Sequence, residues 1–253
     1  MIQVFKGFLR SLRKKFYSLG SRKLCIICGH SFIGFISAGS KSDVFNKYKV
    51  SGAGFRKDVI CSNCGSLDRS RLIYLFLNRL KKTVFTSKIK LLHVAPDTEF
   101  PELLKGNKSM DYMSIDSIAG AADLQMDINN LSLPSESFDV VICNHVIEQI
   151  SDDKKALKEL FRVLKKDGFA ILHSPISLIL SETLEDPLVN TPEQRKACYG
   201  QEDMFRIYGQ DYKNRLSNAG FRVEIYNPES FLSPEEIDRF GVNPNENIFV
   251  GNQ

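Results

Sequence analysis

The chain has 253 residues, 43% hydrophobic and 25% charged, with no low-complexity tract. That length supports one substantial α/β core with a small appendage, and no apolar run reaches the roughly 18–20 residues of a bilayer-crossing helix. The net charge of +4 is uneven: residues 1–23 hold Lys6, Arg10, Arg13, Lys14, Lys15, Arg22 and Lys23 and no acid, so the rest carries about −3, which speaks against a broad nucleic-acid surface.

In residues 1–19, Val4, Phe5, Phe8, Leu9, Leu12 and Phe16 can share one helical face, with basic residues around the rest. This pattern suits a helix on an anionic membrane surface; a helix docked on its own domain, a basic arm or a mitochondrial presequence reads similarly. The basic residues interrupt any signal-peptide core. Four of the six cysteines form two close pairs, with Cys143 and Cys198 apart. The expectation is a reducing, cytoplasmic setting, with residues 1–23 available for peripheral contact at the inner membrane face.

Cys25-Ile-Ile-Cys28-Gly29 and Cys61-Ser-Asn-Cys64-Gly65 are two CxxCG knuckles. Two thiolates three positions apart wrap one side of a tetrahedral ion, and the glycine permits the tight turn that follows. Cys25, Cys28, Cys61 and Cys64 are therefore expected to hold a structural zinc, with His30 just outside the first knuckle. Between the knuckles, Phe32 to Phe35, Val44 to Val50 and Gly52 and Gly54 suit the short strands and turns of a zinc ribbon. Asp68 opens a helix that carries Leu72, Ile73, Leu75, Phe76 and Leu80. Its Arg69 and Arg71 are placed either to reach an acidic substrate group or to sit as exposed helix charges or pair with Asp68.

Ile89 to Asp97 reads as a first strand and its loop, Asp111 to Asp116 as a second strand, and Ala122 to Ile128 as a third. Phe138 to Cys143 is a β-branched apolar run of the buried parallel type. A helix follows, capped by Ser151, with Asp152 and Asp153 in its first turn and Ala156, Leu157, Leu160, Phe161 and Leu164 at helical spacing. Lys165 and Lys166 fall in its last turn and Gly168 is the expected left-handed stop. A second strand starts at Phe169. Ligands of such sheets lie outside the carboxyl ends of the strands, which here carry Asn144, His145 and His173. Residues 174–209 are too long for a simple connection and read as a lid over the site. A helix from Asp211 to Ala219, stopped by Gly220, precedes two last strands, Phe221 to Tyr226 and Asn247 to Val250.

The run LPSESFDVVICNHVIEQI, followed by ALKELFRVLKKDG, resembles the post-motif half of class I S-adenosylmethionine-dependent methyltransferases of the type 11 kind. CGSLDRSR after the second knuckle and LHVAPD in the first loop resemble a subgroup with an N-terminal zinc ribbon and an LHxAPE-type first motif. The resemblance implies an α/β, Rossmann-like, seven-stranded sheet with a small zinc-ribbon domain, divided as residues 1–23, 24–66 and 67–253. It implies S-adenosyl-L-methionine as cofactor. His93, Ala95, Asp97 and Glu99 occupy the places of the usual acid and three glycines, and Asp97 is a candidate for the cofactor's ammonium group. Asp116 is expected at the ribose hydroxyls, with Asp123 as a competing or structural acid. Asp127 is expected at the adenine amino group, Ile128 against the ring, and Asn144 at cofactor or substrate. In the lid, a run similar to the subgroup's T-x-ED…ER…FGQ-x-DHVR-x-YG makes Arg195, Gln201, Asp203, Arg206 and Tyr208 substrate candidates, with Met204 and Phe205 in place of His and Val.

Methyl transfer from a sulfonium is an in-line displacement, so alignment supplies most of the effect, and a base is needed only where the acceptor must lose a proton. His145 and His173 are the candidate bases, each equally readable as structural; Gln149 stands where the family has a second His. The expected function is methylation of a small-molecule acceptor, such as a saccharide or surface-polymer precursor. RNA methylation and a non-catalytic binding module are the alternatives.

Overall fold

The computed structural model describes residues 20–97 and 100–253. The expected amphipathic helix over residues 1–19 and the candidate Glu99 lie outside these residues. Seven strands form the central sheet: β1 (Ile89–Val94), β2 (Met110–Asp116), β3 (Leu124–Gln125), β4 (Phe138–Asn144), β5 (Leu164–His173), β6 (Arg222–Tyr226) and β7 (Ile248–Asn252). Their spatial order is β3-β2-β1-β4-β5-β7-β6. Strands β1 to β5 run parallel, whereas β7 lies antiparallel to both β5 and β6. The start of β7 therefore sits at the edge where β1, β4 and β5 end.

Side-chain alternation divides the core. Leu92, Val94, Val141, Cys143, Ala170 and Leu172 face α3 (Asp153–Val163) and α5 (Tyr212–Asn218). Leu91, Val140, Ile142, Ile171, Ile248 and Val250 face α1 (Asp68–Leu80) and α6 (Pro234–Phe240). Both faces of the central strands are buried, as an all-apolar parallel strand requires. The remaining labelled helices are α2 (Phe100–Lys105) and α4 (Pro192–Tyr199).

Several local expectations are corrected. Helix α3 is capped by Asp152, whose side chain accepts from the Lys155 amide, rather than by Ser151. It ends at Val163, because Leu164 turns extended to pair with Phe138 and open β5. Lys165 and Lys166 are thus strand residues. Gly168 is no left-handed stop: it lies in the irregular stretch of β5, where a Cβ would meet the Asp139 carbonyl at 2.8 Å. The third strand shrinks to two residues, since Asp123 and Asp127 turn back to bond the local backbone.

The ribbon pairs Lys23–Leu24 with Ser31–Phe32 and Ile36–Ala38 with Arg56–Ile60. Val44 to Lys47, expected as strand, is helical. Ser42 caps that short helix, and Phe45 on it packs with Tyr199, Met204 and Ile207 of the lid. Val50–Ser51 pairs with Ile176–Ser177, so the ribbon shares a two-stranded sheet with the lid. Arg22 and Lys23, counted above with the basic segment, both approach Asp238 of α6, and Lys23 is buried. Among the described residues no helix is long and apolar enough to cross a membrane.

Candidate active site and cysteine cage

The two knuckles fold alike. Gly29 donates to the Cys25 carbonyl and Gly65 to the Cys61 carbonyl, both glycines with positive φ. This brings Cys25 Sγ to 3.7 Å from Cys64 Sγ and Cys28 Sγ to 3.8 Å from Cys61 Sγ. A tetrahedron with metal–sulfur bonds of about 2.3 Å has edges of about 3.8 Å, which these two separations match, and all four sulfurs lie within 4.8 Å of one another. His30 bonds the Cys28 carbonyl and Asn63 instead, outside the cage.

At the carboxyl edge of the sheet, β1 ends in a left-handed turn at Ala95 (φ 44°) and β4 in another at His145 (φ 57°). Ala95 keeps the conformation that a glycine loop would use, though a side chain makes it unfavourable by roughly 1–2 kcal/mol. Asn144, 93% buried at the end of β4, has a side-chain oxygen with no partner among the described residues. A buried amide oxygen without a donor is costly, and Asn144 stands at the end of β4, on the edge where ligands of such sheets bind. A ligand carrying an ammonium or hydroxyl donor would satisfy it.

The predicted cofactor residues separate into two groups. Asp116 ends β2, half-buried, its carboxylate accepting from the Ile118 amide. Asp127 is exposed and accepts from the Asn129 amide, and Ile128 beside it is buried. These acids are held by their own turns and keep acceptor capacity. His93 departs from expectation. Strand alternation points it away from the edge, against Phe100 and the Tyr112 hydroxyl, and burial lowers its pKa to about 4. Asp97 is bonded by Arg69 at 3.0 Å and by the Ser70 hydroxyl, so α1 already balances the charge proposed for an ammonium group. Asp123 is structural: it accepts from the amide and hydroxyl of Ser114 and pairs with Lys105.

A cavity of about 260 Å³ opens between ribbon and sheet edge. Its walls include Gly52 and Arg56 of the ribbon, Arg69 of α1, His145 and Gln149 after β4, and Gln201 and Asp203 of the lid. Of the five lid candidates, Gln201 and Asp203 reach it. Arg195 bonds the Asn190 and Glu202 carbonyls and lies over the Phe205 ring, within the lid. Arg206 and Tyr208 are buried anchors rather than substrate contacts. Arg206 donates to the carbonyls of Ile147, Ile150 and Ser151 and pairs with Glu185, and the Tyr208 hydroxyl donates to Asp153. They pin the lid to α3. A larger open depression of about 620 Å³, lined by Lys154, Glu185, Asp211 and Asn218, shares none of the residues of the cavity wall.

His145 and His173 meet at the cavity wall, ring centroids 5.2 Å apart. Both contact Glu246 Oε1, His145 Nε2 at 3.0 Å and His173 Nε2 at 2.8 Å. Burial lowers the His145 pKa to about 3 and raises that of Glu148 to about 7; Glu148 accepts from the Ser174 hydroxyl. Burial pushes Glu246 upward too, but the two histidines outweigh it and hold its carboxyl well below the usual range. Neither Glu246 nor Glu148 had been singled out from sequence. The signal for Glu246 is positional: it immediately precedes β7, whose antiparallel run brings its start to the ligand edge.

Comparison with known proteins adds the family. Residues 98–172 match the family described as a methyltransferase domain. An uncharacterized methyltransferase, YcgJ of Bacillus subtilis strain 168, is 38% identical over 56 residues, 21% of this chain and 22% of that protein, so the match spans about a fifth of the relative's length. A SAM-dependent methyltransferase from Archaeoglobus fulgidus shares 16% identity at a TM-score of 0.49, covering 73% of this chain and 94% of that one. The [4+2]-cyclase SpnF shares 16% identity at a TM-score of 0.50, covering 72% and 79%, and so has the same fold. Residues 98–172, which span β2 to β5, thus match a methyltransferase domain, and the strands around them complete the seven-stranded sheet.

Proposed function

We propose that the protein transfers a methyl group from S-adenosylmethionine to a small polar acceptor bound between ribbon and sheet edge. The observation that carries this reading is the buried, unpartnered oxygen of Asn144 at the ligand edge of a methyltransferase domain. In this reading Asp116 takes the ribose hydroxyls, Asp127 the adenine amino group, Ile128 packs on the ring, and Asn144 meets the cofactor's methionine end. Ala95 lets the backbone turn closely there. The bound cofactor supplies an electrophilic methyl group; the chain's part is to align acceptor and sulfonium and to exclude water.

The acceptor is a small polyhydroxy compound such as a saccharide or surface-polymer precursor. The mixed polar wall of Arg69, Gln149, Gln201 and Asp203 suits hydroxyl groups. An RNA acceptor is less favoured, since the two arginines on the cavity wall are already paired, Arg56 with Asp68 and Arg69 with Asp97. Zinc in the four-cysteine cage holds the ribbon in shape, which in turn forms one wall of the cavity. Residues 1–23, apart from the buried Lys23, serve peripheral contact with an anionic membrane on the cytoplasmic side.

SpnF has this fold and is a cyclase, so a binding experiment has to test the reading. Calorimetric titration of S-adenosylhomocysteine into the zinc-loaded protein is expected to give saturable heat. Asp116→Ala, Asp127→Ala and Asn144→Ala should each weaken binding about tenfold, the ~1.4 kcal/mol of one or two lost hydrogen bonds. Absence of heat from the parent protein would overturn the cofactor reading. Loss of zinc from Cys61→Ser is the corresponding test of the cage.

A further inference from the structure

The histidine–glutamate cluster presents a contact that ordinary tautomers cannot make. His173 Nδ1 lies 3.1 Å from the Asn247 carbonyl oxygen. A carbonyl only accepts, so Nδ1 carries the ring proton. A neutral ring then turns the lone pair of Nε2 toward Glu246 Oε1, 2.8 Å away, and two acceptors would face each other in a fully buried place. A positive species has to stand between them. His145 aims its Nε2 at the same oxygen from 3.0 Å, while its Nδ1 stands 4.0 Å from the Glu148 carboxylate, beyond hydrogen-bond reach. Both rings thus turn Nε2 to one carboxylate oxygen, and His173 has its outer nitrogen fixed by a carbonyl, as metal-binding histidines usually do.

We infer that His145 Nε2, His173 Nε2 and Glu246 Oε1 form a second metal site, separate from the cysteine cage, for a divalent first-row ion such as zinc. Two imidazoles and one carboxylate are a donor set for such ions. All three donor atoms lie within 4.8 Å of one another. Metal bonds of about 2.1 Å at a tetrahedral centre separate neighbouring ligands by about 3.4 Å, so the contacts of 3.0 and 2.8 Å to Glu246 Oε1 need open only by about half an ångström. Charge is matched as well, since the carboxylates of Glu246 and Glu148 are both buried beside the rings, while Arg69 nearby is neutralised by Asp97.

The backbone of Gly52 packs against the cluster from the ribbon side: a Cβ on it would come within 2.8 Å of Glu246 Oε1 and 3.1 Å of His145 Cε1. Gly52 and His145 both line the cavity, so the cluster stands at its wall, apart from the cysteine cage.

The competing occupant is a second ring proton, and metal stoichiometry separates the two. Full-length protein, freed of metal and titrated with cobalt(II), is expected to bind two equivalents. One gives the intense thiolate-to-metal charge-transfer absorption of the cysteine cage, the other only the weak bands of nitrogen and oxygen ligands. Glu246→Gln should abolish the second and leave the first unchanged; Gly52→Ala, which removes no ligand but crowds Glu246 Oε1, should weaken the second and leave the first unchanged. A parent protein that binds a single equivalent with cobalt and again with zinc overturns the site and leaves a proton there. The S-adenosylhomocysteine titration is read separately, so failure here does not touch the cofactor reading, nor the reverse.

Discussion

Arg71 is the side chain on which the union of ribbon and sheet domain depends most directly. It is fully buried, and its guanidinium donates to four carbonyls: Ser66 (2.9 Å) and Asp58 (3.0 Å) of the ribbon, Phe240 (2.7 Å) and Gly241 (2.9 Å) at the end of α6. The Phe35 ring lies 3.9 Å from its central carbon. Arg71→Met keeps most of the stem but leaves four carbonyls without their donor. Charge-assisted bonds are worth about 1.5–3 kcal/mol each, yet burying the cation carries its own desolvation penalty, so the terms do not add. Losing one partner of a buried charged network costs about 3–5 kcal/mol, and the relieved desolvation places Arg71→Met near the lower end, at about 3 kcal/mol. In urea, with a slope of roughly 2–3 kcal/mol per molar, the midpoint should fall by about 1–1.5 M. Zinc release to a chromogenic chelator should speed up in parallel, because Ser66 follows the second knuckle. Arg79→Ala is the control: its pair with Glu236 at 2.6 Å is partly exposed and worth under about 1 kcal/mol. A loss below about 1 kcal/mol for Arg71→Met, no larger than the control, would refute the reasoning.

Two further outcomes are expected. Gly200 ends α4 with φ 92°, and a Cβ there would stand 2.6 Å from Phe45 Cζ of the ribbon. Gly200→Ala should lower the melting temperature and open the lid to proteolysis between residues 185 and 205, with strain alone costing about 1–2 kcal/mol; unchanged lid cleavage would show that this contact does not dock it. The Arg162 bonds, joined by the Leu131 amide, hold the Glu159 carboxyl below its usual range. Its folded pKa is therefore depressed, so its stabilisation is present above the unfolded value and lost as pH falls through the folded one. Urea midpoints of Glu159→Gln and parent should differ at pH 7 and converge between about pH 5 and 3, and a constant difference would contradict the assignment.

Local patterns in the sequence were enough for the zinc knuckles, the strands β1, β2, β4 and β5, the helix between β4 and β5, and the placing of Asn144, His145 and His173 at one edge. Each of these rests on short-range spacing: thiolates three apart, β-branched runs, apolar residues at helical intervals. Where a side chain's partner lies far along the chain, spacing carried no information. Arg206 and Tyr208 read as substrate groups because their stretch of the lid resembles the subgroup's motif, but their partners, Glu185, Asp153 and the carbonyls after β4, make them anchors. His93 read as a cofactor residue from its place in the first motif, yet strand alternation turned it inward.

The composition and order of motifs thus determined the class of fold, the cysteine cage and the edge on which a ligand would sit, because these follow from local geometry and from the handedness of parallel crossovers. Tertiary structure alone decided which polar residues remain free at that edge. Arg69 and Asp97 neutralise each other from separate elements, the ribbon contributes Gly52 to the cavity wall, and Glu246 arrives from just before the last strand to meet two histidines about a hundred and about seventy residues earlier. A carboxylate's function depends on what it touches once water is removed, and that is set by long-range packing rather than by its neighbours in the chain.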